Sequence, residues 1–382
     1  MEARILAIAD KKLIIAMLGH KHMLSREGGI EIVVNELATR MAERGHQVVC
    51  YDRSGHHISG GEIEDVSEYR GVKIVSVWTV KRKGLAAMTS SLSAAWKASK
   101  SAADVVHIHA EGPAAMCWLP KMRGKRVIVT IHGLDWQRAK WGGFASKYIK
   151  FGEKQAVKWA DEIIVLSRSV QEYFEKEYGR RTVFIPNGVT KPEIREAHEI
   201  KLRWGLEKDN YVLFLGRIVP EKGLRYLIQA WKDVKTDKRL VIAGGSSDTQ
   251  SFLLELQEMA RGDDRILFIG FQQGRLLEEL YSNAYIYCLP SDLEGMPLSL
   301  LEAMSYGNCC VVSDIPECTE VVEDKAINFS HSDVIALCSV LQELMDIPEM
   351  VKKYRINAAE FICNKYNWDD VVDRTLRLYG DK

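Results

Sequence analysis

The stretch Pro290-Ser291-Asp292-Leu293-Glu294-Gly295-Met296-Pro297-Leu298-Ser299-Leu300-Leu301-Glu302-Ala303-Met304 decides the fold. The apolar run Tyr285–Leu289 leads into it as a buried strand. A short loop and then a helix follow, with Glu294 in the loop and Glu302 inside the helix. Pro297 suits a first helical position, where its missing N–H costs nothing. The amides around Met296 and Leu298 would then lie at a helix N-terminus, which binds anions because its N–H groups are free and the dipole is positive there. An acid ahead of such a tip points to a phosphate-bearing ligand with hydroxyls beside it. Taken singly, Glu294 is an ordinary helix N-terminal acid and Glu302 an ordinary solvated one.

Outward from this stretch the same pattern repeats. Tyr211–Leu215 is a strand that opens into Gly216-Arg217-Ile218-Val219-Pro220-Glu221-Lys222-Gly223. Leu240–Ala243 ends in Gly244-Gly245, Ile266–Ile269 ends in Gly270, and Cys309–Ser313 is the last clear strand. Helices are expected over Asp333–Asp346, Glu349–Asn364 and Asp369–Tyr379. The first half alternates in the same way. Leu13–Leu18 is a strand, Gly28-Gly29 opens a helix over Ile30–Arg44, and Gln47–Tyr51 and Val72–Trp78 are strands. A helix reaches Lys100, and Asp104–His109 (DVVHIH) is a strand whose two histidines face one side. No acid or cysteine at ligand spacing accompanies that pair, so it reads as packing or pocket lining rather than a metal site. Arg126–Ile131 ends at His132, where catalytic groups of a parallel sheet collect. A helix over Phe144–Ala160 leads to Glu162–Leu166, and Val183–Ile185 runs into Pro186-Asn187-Gly188-Val189. That turn and the polar Thr190–His198 mark a domain boundary.

A chain of 382 residues exceeds one ordinary core, so two domains are expected. With 47% hydrophobic and 27% charged residues it has a globular composition. The net charge is zero, but residues 1–190 carry 29 Lys+Arg against 20 Asp+Glu, +9, leaving 52 − 29 = 23 against 52 − 20 = 32, −9, for the rest. The basic half suits an acidic partner such as an anionic lipid surface, as do Lys81-Arg82-Lys83 near Trp78 and Trp96. It equally describes a solvated basic surface. Eight cysteines without a C-x-x-C pair fit a reducing cytosol. No apolar run reaches the roughly 18–20 residues needed to span a bilayer. Met1–Asp10 lacks a signal-peptide pattern and reads as a short surface appendage.

With GRIVPEKG at 216–223 and EGMPLSLLE at 294–302 in place, the chain resembles the family 4, or group 1, retaining glycosyltransferases of GT-B fold. Gly28-Gly29-Ile30-Glu31, DVVHIH, TIHG at 130–133, IPNGV at 185–189 and AGG at 243–245 carry the resemblance nearly end to end. HGLDWQRAKW at 132–141 is similar, more narrowly, to bacterial rhamnosyltransferase-like enzymes of surface-polysaccharide assembly. The resemblance implies an α/β GT-B fold, with two Rossmann-like βαβ domains facing each other across a cleft. Residues 1–189 would bind acceptor and 190–366 the nucleotide sugar, and 367–382 would return as a helix to the first domain.

It also implies roles. Arg217 and Lys222 would neutralise the leaving diphosphate, with Gly28 and Gly29 closing over it. Gly245, Gly295, Met296, Pro297 and Leu298 would lie along the donor, and Gly270 and Phe271 would flank its base. Glu302 would take the ribose, and Glu294 the sugar hydroxyls and positive charge developing at the anomeric carbon. His132 would bond the donor sugar, and Asp135 would orient an acceptor hydroxyl. The donor would be a UDP-sugar or dTDP-rhamnose, and the acceptor a saccharide or polyprenyl-pyrophosphate-linked saccharide. No metal, further cofactor or nucleic-acid partner is expected. The expected place is the cytoplasm, peripheral on the inner face of the membrane. A nonhydrolysing sugar-nucleotide epimerase of the same fold and a catalytically silent GT-B subunit are the rival readings. The first lacks assigned acid/base carboxylates, and the second is opposed by intact Arg217, Lys222, Glu294 and Glu302.

Overall fold

The computed structural model describes residues 12–54, 66–80, 82, 85–137, 143–245 and 250–380. Met1–Asp10, Lys81, Lys83 and the 138–141 end of HGLDWQRAKW lie outside the described residues. The chain forms two compact units, Met1–Asn187 with Trp368–Lys382, and Gly188–Asn367.

The first unit holds strands β1 (Ile14–Leu18), β2 (Gln47–Arg53), β3 (Glu68–Tyr69), β4 (Val72–Val77), β5 (Val105–His109), β6 (Arg126–Ile131), β7 (Glu162–Val165) and β8 (Val183–Phe184). Their order is β3-β4-β2-β1-β5-β6-β7-β8. Every pairing is parallel except β3 with β4. Helices on both faces bury the sheet, which is why β1 and β6 are short, mostly apolar runs rather than alternating ones. The helix Trp368–Gly380 belongs to this unit. Its Tyr379 hydroxyl lies 2.6 Å from His107 Nδ1, and its Leu378 carbonyl accepts from Arg126 Nε at 2.7 Å.

The second unit holds β9 (Tyr211–Leu215), β10 (Arg239–Ala243), β11 (Ile266–Gly270), β12 (Ile286–Leu289), β13 (Cys309–Ser313) and β14 (Ile327–Phe329). Their order is β11-β10-β9-β12-β13-β14, all parallel. Each sheet therefore reverses direction once, at β1/β5 in the first unit and at β9/β12 in the second. Ligands of doubly wound sheets bind beyond the carboxyl ends of the strands at such a switch point.

Four expectations change. Cys309–Ser313 is not the last strand, because the three-residue β14 extends the edge. The helix expected over Glu349–Asn364 is two, Pro348–Arg355 and Ala358–Lys365, broken where Asn357 takes φ 63°. A helix over Arg168–Tyr178 fills the gap before β8. Ser167 caps it by accepting from the Val170 N–H, and Gly179 ends it at φ 60°. Pro297 is the residue before the helix Leu298–Ser305, with an extended ψ of 95°, rather than its first helical residue. The free amides at that tip are accordingly those of Leu298 and Ser299, since Leu300 and Leu301 already bond the Pro297 carbonyl. Among the described residues no helix is long and apolar enough to cross a membrane. All eight cysteines are free.

Candidate functional site

In the second unit the loops after β9 and β12 meet at the switch point. The first runs from Gly216 through a 3-10 turn, Pro220–Lys222, to Gly223. Gly223 sits at φ 66°, and a Cβ there would lie 1.8 Å from the Pro290 carbonyl oxygen. Only glycine satisfies both the left-handed backbone and that approach. The Asp292 N–H donates to the Glu221 carbonyl at 2.9 Å, tying the loops together. This contact delivers Lys222 to Glu294. The Lys222 Nζ donates to Glu294 Oε1 at 2.5 Å, and the Ser291 hydroxyl donates to the same oxygen at 2.7 Å. The two side chains are 11% and 8% exposed. A cation and an acid held this dry at a strand switch point are costly without a further purpose, because both lose hydration.

Around the pair the other predicted donor residues of this unit gather along one sheet edge, whereas Gly28 and Gly29 belong to the first unit. The Ile218 N–H donates to the Gly245 carbonyl at 2.9 Å, and the Gly244 N–H to the Gly270 carbonyl at 2.8 Å. Phe271 packs beside Gly245. Arg217 is half-buried in the Lys222 loop. Gly295, Met296 and Pro297 lead from Glu294 into the helix Leu298–Ser305. Glu302 lies one turn further on, where Tyr281 donates to its Oε2 at 3.1 Å. Burial and the neighbouring Glu302 charge hold the Tyr281 hydroxyl well above its ordinary value, so it remains a donor. Neither Tyr281 nor the Ser291 bond was anticipated. Their only signal is a polar residue in an otherwise buried element.

In the first unit β1, β5 and β6 end in a cluster of histidines. His20 Nε2 lies 2.7 Å from Asp52 Oδ1, whose second oxygen accepts from the Met23 N–H at 3.1 Å. The Lys21 N–H donates to Glu31 at 2.9 Å, and this fixes the loop that leads to Gly28 and Gly29. His109 Nδ1 is 3.1 Å from His132 Nε2. The rings of His107 and His109 are 4.1 Å apart, so they do share a face. His107 is satisfied in the core, by Tyr379 and by Thr130 Oγ1 at 2.7 Å, and burial pulls its pKa down to about 3. Burial, with His107, His132 and His20 as like-charged neighbours, keeps His109 neutral as well. Its Nε2 has no hydrogen-bond partner. Among the described residues no group of three or more His, Cys, Asp or Glu could hold a metal.

Asp135 opens a 3-10 turn, Asp135–Gln137, just past His132. Its N–H donates to Glu111 Oε2 at 2.8 Å. Glu111 faces Glu153, and both acids are fully buried. No sequence reading singled them out, although Ile149, Gly152, Glu153 and Ala156 form the buried stripe of one helix at i, i+3, i+4, i+7.

Two family descriptions match the chain: glycosyl transferases group 1 over residues 196–361, and glycosyltransferase family 4 over residues 27–191. The chain belongs to the family 4, or group 1, glycosyltransferases. An uncharacterised glycosyltransferase of Methanocaldococcus jannaschii is 26% identical, covering 96% of this chain and 97% of its own. A phosphatidyl-myo-inositol mannosyltransferase of Mycobacterium leprae is 26% identical over 92% of each chain. The Anabaena protein HepE, solved in complex with UDP and glucose, superposes with a TM-score of 0.79 at 15% identity, covering 96% of this chain and 99% of that one. The glycosyltransferase thus has the GT-B fold, with a Rossmann-like sheet in each unit.

Proposed function

We propose that this glycosyltransferase transfers a hexose, N-acetylhexosamine or deoxyhexose with retention of configuration, without a metal. The donor is a UDP-sugar, with dTDP-rhamnose the alternative, and the acceptor is a lipid-linked saccharide of surface-polysaccharide assembly. The Lys222–Glu294 contact at the β9/β12 switch point carries the reading. Departure of the nucleotide puts negative charge on its diphosphate. Lys222, Arg217 and the Leu298 and Ser299 amides are the positive groups available to receive it. Glu294 would exchange its bond to Lys222 for the sugar's hydroxyls when a donor binds, while its charge favours the positive anomeric carbon. Glu302 takes the ribose, and the strand-end backbone of Gly245, Gly270 and Phe271 the base. His132 bonds the sugar, and Asp135 the acceptor. Residues 1–189 and 367–382 form the acceptor-side domain, and 190–366 the donor-side domain. With cations and a helix tip on the diphosphate, front-face attack needs only the leaving phosphate to take the acceptor's proton. The relative solved with UDP supports the choice of nucleotide.

The membrane reading has its own support, in the helix Gly143–Trp159. Phe144 (79% exposed) and Phe151 (49%) share an exposed stripe with Lys147, Lys154 and Lys158, at spacings of three and four. Aromatic and basic groups on one helix face suit the interface of an anionic bilayer. The relative that acts on phosphatidyl-myo-inositol supports a lipid-linked acceptor.

A thermal-shift screen of UDP- and dTDP-sugars identifies the donor, since a ligand of the folded state raises the midpoint. Transfer from that donor, followed by NMR of the product's anomeric centre with and without EDTA, completes the test. Inverted product or activity abolished by EDTA would overturn the respective part of the reading. Epimerised donor in place of transferred sugar would overturn it entirely.

A further inference from the structure

The two buried acids behind Asp135 have a geometry that a pair of carboxylates would not tolerate. Glu111 lies just past the β5 strand end, and Glu153 is in the middle of the helix Gly143–Trp159. The chain brings them together through Gly152, where a Cβ would lie 1.9 Å from the Glu111 carbonyl oxygen. Each acid uses one oxygen. Glu111 Oε2 accepts from the Asp135 N–H. Glu153 Oε1 accepts from Lys150 Nζ at 2.8 Å, from the Tyr173 hydroxyl at 2.9 Å, and from Tyr178. The remaining oxygens, Glu111 Oε1 and Glu153 Oε2, are buried with no partner, while the two side chains stand within hydrogen-bonding reach of one another. Two acceptor-only groups facing each other out of water is unstable, whereas one proton between them satisfies both.

We propose that Glu111 carries a proton that it donates to the Glu153 carboxylate, and that this pair positions the backbone behind His132 that carries Asp135. The charge stays on Glu153, which has Lys150 and two tyrosine hydroxyls, and the proton on Glu111, which has only a backbone amide. Burial first, then the Asp135 charge and Glu153, raise the Glu111 pKa well above the carboxylate range. The groups facing the pair are Asp135 from the 3-10 turn, Lys150 from the Glu153 helix, and Tyr173 and Tyr178 from Arg168–Tyr178. Its consequence for catalysis rests on the reading of Asp135 as the acceptor-side residue, but the pair and its hold on the backbone are tested without any acceptor.

In Glu111→Gln the amide nitrogen replaces the protonated oxygen and the amide oxygen still receives the Asp135 N–H, so the pair survives. In Glu111→Leu both bonds are lost. In Glu111→Gln/Glu153→Gln the Asp135 N–H orients one amide and the Tyr173 and Tyr178 hydroxyls the other, so two NH2 groups face each other. Hydrogen exchange at pH 7 should show the Asp135 amide equally protected in the wild type and in Glu111→Gln. It should exchange at least about tenfold faster in Glu111→Leu and in the double variant, with the change confined to residues 133–137. The folded protein keeps a proton that the unfolded chain releases above the ordinary glutamate value, so this pair's stabilisation falls as pH rises. As pH rises above the ordinary glutamate value the wild-type midpoint should therefore fall relative to Glu111→Gln, by about 3–5 °C per pH unit for as long as the folded protein keeps that proton. Parallel pH curves would overturn the shared proton. Fast exchange in Glu111→Gln, or a double variant as protected as Glu111→Gln, would overturn the positioning role. Should Glu111→Leu fail to fold, the double variant decides.

Discussion

Lys222 and Glu294 serve each other in the resting glycosyltransferase, and separating that structural duty from the proposed catalytic one takes three variants. Glu294→Gln keeps the shape and the Ser291 bond but leaves a cation that is 11% exposed without its acid. Breaking a buried pair from one side costs about 3 kcal/mol, at the low end of the usual range because a little water reaches both groups. For the unit Gly188–Asn367, of about 180 residues, that is a fall of about 6–12 °C in the unfolding midpoint. Lys222→Met should cost a similar amount, since it strands the acid. The double variant removes both charges and should return to within about 1 kcal/mol of the wild type, because an ion pair and an apolar replacement are often near parity.

Function should separate from this. A charge-assisted bond to a diphosphate contributes about 1.5–3 kcal/mol, or roughly ten- to a hundredfold in affinity. At a UDP concentration about a hundred times the wild-type Kd, the wild type gains about 2.7 kcal/mol of stability. Lys222→Met and the double variant should gain only about 0.4–1.4 kcal/mol at the same concentration. Glu294→Gln, with its lysine released, should gain at least as much as the wild type. Thermal unfolding with and without UDP gives all four values. A double variant no more stable than Glu294→Gln would refute the coupling, and an undiminished UDP response in Lys222→Met would refute the diphosphate role.

Gly223→Ala places a Cβ 1.8 Å from the Pro290 carbonyl at φ 66°, so the loop bearing Lys222 must move. It should lower the midpoint by several degrees and abolish the UDP response, read in the same assay. His107, with a folded pKa of about 3 against an ordinary 6.5, binds fewer protons folded than unfolded between those values. Its contribution is present above pH 6.5 and is lost on acidification at about 1.4 kcal/mol per pH unit, and His107→Gln should remove that share of the slope, leaving the share of His109, in unfolding curves taken from pH 7 to pH 4. Phe144→Ser/Phe151→Ser should leave stability within about 0.5 kcal/mol, because both rings are largely exposed, while weakening sedimentation with anionic vesicles several-fold. Equal sedimentation with neutral vesicles would remove the basic stripe from the argument.

The sheets were legible because parallel strands buried on both faces leave short apolar runs ended by glycine, and β6 has the expected bounds, Arg126–Ile131. What failed had weaker local signals. The three residues of β14 are too few to show a period, and Asn357 interrupts a helical pattern by adopting a left-handed backbone that asparagine tolerates. The helix Arg168–Tyr178 did carry its signals, Ser167 ahead and Gly179 behind, but has only Val170 and Phe174 buried to mark its apolar face.

The candidate site was legible residue by residue and not as a set of contacts. Lys222 and Glu294 each stand in a recognisable motif, but 72 residues separate them, and no spacing rule reports that one holds the other. Glu111 and Glu153 are further from view. An acid is normally solvated, so a sequence reading assigns it to the surface unless the surrounding pattern objects. Here it does object: Glu153 falls on the stripe of Ile149, Gly152 and Ala156, the face its helix turns inward. A charged residue at an apolar position has to find a partner, a proton or a ligand there, because an isolated buried charge is too costly to persist. Glu153 finds Lys150 and two tyrosines for one oxygen and the Glu111 proton for the other. A break in the hydrophobic period by an acid therefore marks a position that needs a partner, and only the folded contacts show which partner answers it.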